Sequence, residues 1–562
     1  MTTARSNAFS VVGRLLPRRA DYAGLSRSWR GDVLAGATVG VVALPLALAF
    51  GITAGLGAEA GLITAIVAGL VAGVFGGSNV QVSGPTGAMT VVLVPVVARY
   101  GTDAVLVVSI MAGVLVIAGA MLRLGRYLAF VPWPVVEGFT VGIATIIFLQ
   151  QVPAALGVAK PDGENTALIA AKALGDATQD GRVAAVGVVV LVAALMTVVP
   201  RLHRSVPASL LAVVAATAVA EVSHLDVVRI GTLPHTLPLP SVPALSATQM
   251  SELFSAALAV AILAALESLL SAKVADGMAD STPHDPDREL FGQGLANIVS
   301  PLFGGMPATG AIARTAVNVR SGARTRVAAI THSLVLVLVV LLAGGLVSRI
   351  PLAALAGVLM VTAIRMVEVR NVRSVLRATR SDAVVLVLTA LATIAFDLIL
   401  AVQIGIAVAA VLALRHVART AEVIPVSSDM LDPNRVGSLL DEGILTYRLD
   451  GALFFGAAQR FLTELTAVSD AKVVVLRLPA LQMLDATGAQ ALGEIVVELE
   501  RRGITVLLKG PRPEHLRILS ATGVLARLAH QNHLFEDLEP ALAHARLHVA
   551  RARHADRAPT PA

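Results

Sequence analysis

Cysteine is missing from the chain altogether. Disulfides and cysteine-based metal sites are therefore excluded. Enzyme signatures are missing too. The sequence shows no nucleophile–base arrangement, no P-loop and no histidine pair at metal-ligand spacing. His284, in TPHDPDRE, reads as a surface residue of a cytoplasmic loop. No cleavable signal peptide is expected, because the N-terminus is basic and polar and no small-residue cleavage site follows a short apolar core. Charge is scarce, at 15% of residues.

What is abundant is apolar. Hydrophobic residues make up 56% of the 562 positions, and mean hydropathy is +0.78. A soluble domain of this size is not composed that way. Apolar runs recur from Val33 to Val417, among them 183–199, 253–270, 328–346 and 382–400. Runs of about twenty residues match the hydrocarbon core of a bilayer, and about fourteen segments qualify, two of them short and broken by glycine. The chain reads as a polytopic membrane protein.

A sequence pI near 10.0 suggests nucleic acid, but the arginines sit in loops between spans and no nucleic-acid partner is expected. Arg14, Arg18, Arg19, Arg27 and Arg30 precede the first span. Arg123, Arg126, Arg201, Arg204, Arg320, Arg324 and Arg326 follow even-numbered spans, as does the cluster Arg365, Arg370, Arg373, Arg377 and Arg380. The opposite loops, 162–180 and 222–250, are longer and poorer in Arg and Lys. The positive-inside rule then puts both termini in the cytoplasm, with the chain in the cell (inner) membrane.

Hydrophobicity falls after Arg419. ILTYRLDGALFFG, KVVVLRLP and ITVLLKG read as strands, and FLTELTAV, GAQALGEIVVELERRG and PEHLRILSATG as helices. That alternation predicts a small α/β domain. The expected organisation is a cytoplasmic segment at 1–30 and a transmembrane domain at 31–420, with repeats at about 31–225 and 250–420. A linker at 421–442, an α/β domain at 443–550 and a disordered tail at 551–562 follow.

One phrase is written twice. FGGSNVQVSGPTGAMT (75–90) and FGGMPATGAIARTAVN (303–318) share Phe-Gly-Gly and then Thr-Gly-Ala. Two halves of seven spans each would be inverted relative to one another, a common transporter construction with the substrate site at the repeat interface. Gly76, Gly77, Gly84 and Pro85 break the first helix, as Gly304, Gly305 and Pro307 break the second. A helix restarting at mid-membrane offers free N–H groups and a partial positive charge. Two such ends facing each other would hold an anion. The plainer alternative is that Gly-Gly only permits close helix packing.

Arg314, in an otherwise apolar stretch, could complete the positive site or snorkel to the cytoplasmic edge. Glu267 is the only acid in 253–274, and Ser271 shares its helical face four residues on. The pair could bind Na⁺ through oxygens, or the carboxyl could carry a proton. Glu267 could instead pair with Arg314 or cap a neighbouring helix. Lys273 is expected to snorkel. Asp32 reads as a cap of span one, Glu137 as pore-facing or an interface cap, and Asp397 as unspecific.

These stretches resemble the sulfate permease (SulP) family, bacterial relatives of vertebrate anion exchangers and prestin. The resemblance is carried by RGDVLAGATVGVVALPLALAFG (30–51), EAGLITAIVAGLVAGVFGGSNVQVSGPTGAM (59–89), PVVEGFTVGIA (134–144), ESLLSAKVADGM (267–278), ELFGQGLANIVSPLFGGMPATGAIARTAVNVRSGARTR (289–326) and IPLAALAGVLMVTA (350–363). The C-terminal domain resembles a STAS domain. The resemblance implies a core domain moving against a gate domain, and usually a homodimer. It implies a small anion held around Thr86, Gly87 and Ala88 and around Gly310, Ala311, Ile312 and Ala313, with Arg314 as the basic group. It implies Glu267 and Ser271 as the cation-coupling pair, which would be a metal site if the ion is Na⁺; no other cofactor is expected.

The implied activity is secondary active transport of bicarbonate or sulfate, with an uncoupled exchanger or channel, or a dicarboxylate carrier, as the alternative, and no enzymatic activity. Leu46 and Phe50 depart from the Gln and Tyr that many sulfate carriers have. In LDATG (484–488), Ala486 replaces the phosphorylatable Ser of related anti-sigma antagonists, while Thr487 could substitute, or Asp485 and Thr487 could simply cap the helix. A cytoplasmic regulator docking on the STAS domain is an expected partner.

Overall fold

Backbone polar groups buried in lipid must find partners within their own segment, so apolar runs fold as helices. The computed structural model describes residues 15–22, 24–126, 132–163, 165–175, 183–202, 207–231, 236, 238–241, 247–279, 282–396, 398–419, 422–425, 439, 442–454 and 471–555. Arg14, Arg204, Asp397, the helix read in FLTELTAV, most of the 421–442 linker and residues 556–562 lie outside them.

The chain divides into two units, Met1–Ile406 and Ala407–Ala562. In order, the first carries α1 (Leu25–Thr53), α2 (Gly57–Phe75), β1 (Ser83–Gly84), α3 (Gly87–Tyr100), α4 (Asp103–Met121) and α5 (Trp133–Gln150). Then come α6 (Val152–Leu156), α7 (Thr166–Gly175), α8 (Val183–Leu202), α9 (Ala208–Val222), α10 (Ala247–Met278) and α11 (Pro286–Leu302). They are followed by β2 (Thr309–Gly310), α12 (Ile312–Arg320), α13 (Val327–Val347), α14 (Leu352–Met366), α15 (Val369–Ala378) and α16 (Arg380–Ala395), and the boundary between the units falls within α17 (Leu398–Arg419). Among the described residues, eight helices are long and apolar enough to cross a membrane, and several apolar helices, including α3 and α9, are shorter.

Packing sorts these helices. α1, α2, α4, α10, α11 and α13 pack on one another, whereas α5 packs on α16, and α8 on α9 and α14. Small residues set the closest approaches. A Cβ added to Gly61 would lie 1.9 Å from the Ala47 carbonyl oxygen, and one on Gly36 would lie 2.3 Å from that of Ala328. Helices without a hydrophobic drive to associate in lipid gain from such close backbone contact.

The second unit carries β3 (Glu422–Pro425), β4 (Ile444–Leu453), β5 (Val473–Arg477), β6 (Leu481–Leu484), α18 (Ala486–Arg501), β7 (Thr505–Lys509), α19 (Pro513–Ala521), β8 (Leu534–Phe535) and α20 (Leu538–Ala555). The sheet order is β3-β4-β5-β7-β8, with β6 beside β4, and only β3 runs antiparallel to its neighbour. Alternation along β5 sends Val474 and Leu476 into a core shared with α18, and Val473 and Val475 into a core shared with α20. α20 is an element the sequence reading missed. It runs to Ala555, past position 551 where a disordered tail was expected. It also corrects the reading that no histidine pair has metal-ligand spacing: His544 and His548 stand four apart on it.

Candidate functional site

Both copies of the repeated phrase interrupt a helix. α2 stops at Phe75 and α3 starts at Gly87; α11 stops at Leu302 and α12 starts at Ile312. The two interruptions meet. β1 pairs antiparallel with β2, Ser83 opposite Gly310 and Gly84 opposite Thr309, and the Ala311 amide donates to the Val82 carbonyl at 2.9 Å. Glycine serves packing as well as breakage, since a Cβ on Gly77 would sit 2.0 Å from the Asp285 carbonyl oxygen.

The register refines the sequence repeat. Ser83-Gly84 occupies the place of Thr309-Gly310, so the two Thr-Gly-Ala triplets are not equivalent. Thr86 is the N-cap of α3, and Gly87 and Ala88 open the helix; in the second copy Ala311 is the N-cap, and Thr309 and Gly310 form the strand. Pro85 is the reason. It adds an extended residue between strand and helix and cannot donate to the ladder.

Neither N-cap carries a side chain hydrogen-bonded to the first turn. The opening N–H groups of α3 and α12 are therefore left for a ligand. Gly87 and Ala88 are buried, with Gly87 closed in by Phe50 and Ile147, while Ile312 and Ala313 are exposed.

Side chains satisfy the irregular backbone, most of them from the opposite repeat and Asn297 from within its own. Glu289 accepts from the Gly77 and Ser78 amides at 2.8 and 3.1 Å. Thr64 takes the Met306 amide at 2.7 Å, and Asn297 brackets Ala308 with two bonds of 2.9 Å. Asn318 donates to the Val80 carbonyl at 2.8 Å, and Arg326 to that of Gly76 at 2.6 Å. Non-helical backbone survives at membrane depth only when paired in this way.

Glu267 and Ser271 both lie on α10, against this crossing, but they do different things. The Thr86 hydroxyl donates to the Glu267 carboxylate at 2.9 Å. Ser271 is fully buried, and its hydroxyl pairs with that of Thr315 at 3.1 Å. Thr315 in turn accepts from the Val82 amide at 3.1 Å. Ser268, which the sequence reading passed over, stands closer to the ladder: it pairs with Thr309 at 3.2 Å and accepts from the Gly310 amide at 3.0 Å.

Arg314 is 2% exposed, which rules out snorkelling. Its Nη2 donates to the Pro85 carbonyl at 2.6 Å, tying the second short helix to the entry of the first. Its Nη1, beside Gly84, has no partner among the described residues, nor does the buried amide of Gln81 against Gly310. Unpaired donors buried at a crossing of two helix N-termini leave charge-assisted bonds available to an anion.

Other candidates resolve simply. Asp32 is buried inside α1 and is not its cap; it accepts from the Arg324 and Thr325 amides at 2.7 and 3.0 Å, ordering the approach to α13. Glu137 accepts from Trp133 at 2.9 Å and from Asn371 at 3.1 Å. Lys273 is exposed. His284 is held by Asp276 at 2.6 Å. Asp485 caps α18 through the Gly488 amide at 2.7 Å, and Ala486 and Thr487 are exposed.

Two interrupted helices crossing through a short ladder inside a helical bundle define a membrane transporter built from inverted repeats. A model described as the sulfate permease family matches residues 29–389, and one described as the STAS domain matches residues 440–541. The chain belongs to the sulfate permease family and carries a C-terminal STAS domain. It is 35% identical to the putative sulfate transporter YvdB of Bacillus subtilis, over 91% of this chain and 96% of that one. It is 32% identical to the bicarbonate transporter BicA of Synechocystis, over 92% and 94%. The solved transmembrane domain of a cyanobacterial BicA superposes with a TM-score of 0.62 at 31% identity, covering 68% of this chain and 98% of that domain. Murine Slc26a9 in its inward-facing state shares the fold, with a TM-score of 0.81 at 17% identity over 96% and 95%.

Proposed function

We propose that this protein is a secondary active transporter of a small inorganic anion, bicarbonate or sulfate, driven by Na⁺ or H⁺ through alternating access. It works in the cell membrane as a homodimer with both termini cytoplasmic. One observation carries the reading: the uncapped N-termini of α3 and α12 are fastened side by side by β1 and β2, with a free Arg314 N–H between them. That arrangement favours negative charge. The names of two relatives, a putative sulfate transporter and a bicarbonate transporter, agree with it.

Glu267 links the anion to the cation. Its carboxylate holds the Thr86 hydroxyl, and Thr86 is the N-cap of the anion-binding helix. A cation or proton arriving at Glu267 therefore acts on the same turn that faces the anion. Ser271, held by Thr315, supports the second short helix from behind.

The test is uptake of labelled bicarbonate, sulfate and succinate into proteoliposomes under an imposed Na⁺ or H⁺ gradient, with Glu267→Gln in parallel. The expected outcome is that one inorganic anion accumulates under one gradient, and that the variant binds or exchanges it without concentrating it. Gradient-independent flux, equal in variant and wild type, would make the protein an exchanger or channel and Glu267 a structural group.

A further inference from the structure

We propose that the second unit contains a divalent transition-metal site, suited to Zn²⁺, built from His533, His544 and His548. The three histidines come from two elements. His533 closes the turn just before β8, and His544 and His548 stand one helical turn apart on α20. One ligand nitrogen from each ring lies within 4.8 Å of the other two. The Nε2 atoms of His544 and His548 are 3.2 Å apart. Tetrahedral Zn–N bonds of about 2.0–2.1 Å require nitrogens about 3.3 Å apart, so this pair already has the needed span.

The ring packing is edge-on. Centroids are 5.0 Å apart for His533–His548, 5.5 Å for His533–His544 and 4.9 Å for His544–His548, with interplanar angles of 82°, 66° and 66°. The three rings form one compact cluster, with a ligand nitrogen of each within reach of the other two.

His533 supplies an independent sign of an unfilled role. It is 1% exposed, and neither ring nitrogen has a hydrogen-bond partner among the described residues. A buried imidazole without a partner is costly, and natural structures rarely leave one so. Burial, with His548, His544 and His530 nearby, holds its pKa down at about 4. An imidazole ligates a metal through the lone pair of its neutral form.

Three imidazoles with no carboxylate or thiolate select Zn²⁺, Cu²⁺, Ni²⁺ or Co²⁺ over Mg²⁺ and Ca²⁺. A three-histidine set leaves a fourth position for water or another donor. The His530 ring lies 6.1 Å from that of His533. The bound ion would pin the edge strand β8 to α20. Because α20 packs on β4, β5 and β7 through Ala541, Leu542, Ala545 and Val549, metal would tighten the end of the domain as a unit.

The experiment uses the full chain, purified in detergent without a polyhistidine tag and stripped with chelator. Zn²⁺ is titrated by calorimetry and Co²⁺ by visible absorption, against wild type and His548→Phe. Phenylalanine keeps the ring packing and removes the ligand. The wild type is expected to take one equivalent per chain, with the intense visible bands of low-coordinate Co²⁺ and a melting temperature that rises with Zn²⁺. His548→Phe is expected to melt where the metal-free wild type does and to lose binding, bands and metal-induced shift together. Wild type without a stoichiometric site, or a variant that binds as well as wild type, overturns the proposal and leaves the cluster as aromatic packing. His544→Gln, which keeps polarity at that position, repeats the test should the first variant fold poorly.

Discussion

Asp21 and Arg288 are distant in sequence and joined in space by two bonds, of 2.8 and 2.6 Å. Burial would raise the Asp21 pKa. The hydrogen bond from Arg288, the Arg18 amide and the charges of Arg326 and Arg288 outweigh it and bring the value down to about 2. A carboxyl whose folded pKa is depressed stabilises the fold above its unfolded pKa, and that stability is lost as pH falls toward the folded value. Asp21→Asn should therefore cost roughly 2 kcal/mol near neutrality, by the size of the shift. The gap between variant and wild-type melting temperatures should hold down to about pH 4 and close below it. A gap independent of pH across that window would assign the loss to packing. Single residues were unevenly legible. Glu267 and Arg314 stood out as lone charges in apolar runs. Glu289, Gln293 and Asn297 were missed, although their spacing by four writes one polar stripe along α11. Ser268 and Thr309 gave no signal, because a hydroxyl that bonds to a distant segment looks like any other small residue.

At the scale of elements, glycine and proline marked where helices stop, and both interruptions fell where the sequence put them. The offset between the two copies was illegible, because identical triplets hide the extra extended residue that Pro85 inserts. β8 and α20 were missed for a different reason: a two-residue edge strand has no period, and alanine and histidine blur the apolar stripe of the helix. Close approach was written only as small residues. Gly61→Ala should drive a methyl into the Ala47 carbonyl and push α1 from α2. The expected cost is about 1–3 kcal/mol, read as a lowered melting temperature in detergent. Unchanged melting would mean that the two helices slide apart freely there.

The whole molecule was legible in outline: an apolar helical unit followed by an α/β unit. Residue order could not reveal which helices pack together, because in lipid small residues and polar bonds choose the partners. Orientation is testable directly, since the chain has no native thiol. With arginine-rich loops inside, Arg320→Cys should react with a membrane-impermeant maleimide only in inside-out vesicles, and Asp162→Cys only in intact cells. The reverse pattern would invert the proposed topology. The ladder between β1 and β2 has a last consequence, and it is thermodynamic. Backbone bonds fasten both short helices to one another, so on the proposed reading the groups facing the anion would travel as one piece. On that reading, a cradle that does not come apart presents the same helix N-termini to the anion on either face. What the ladder would hold constant is the set of atoms that meets the anion, while the direction of net movement would be left to the gradients.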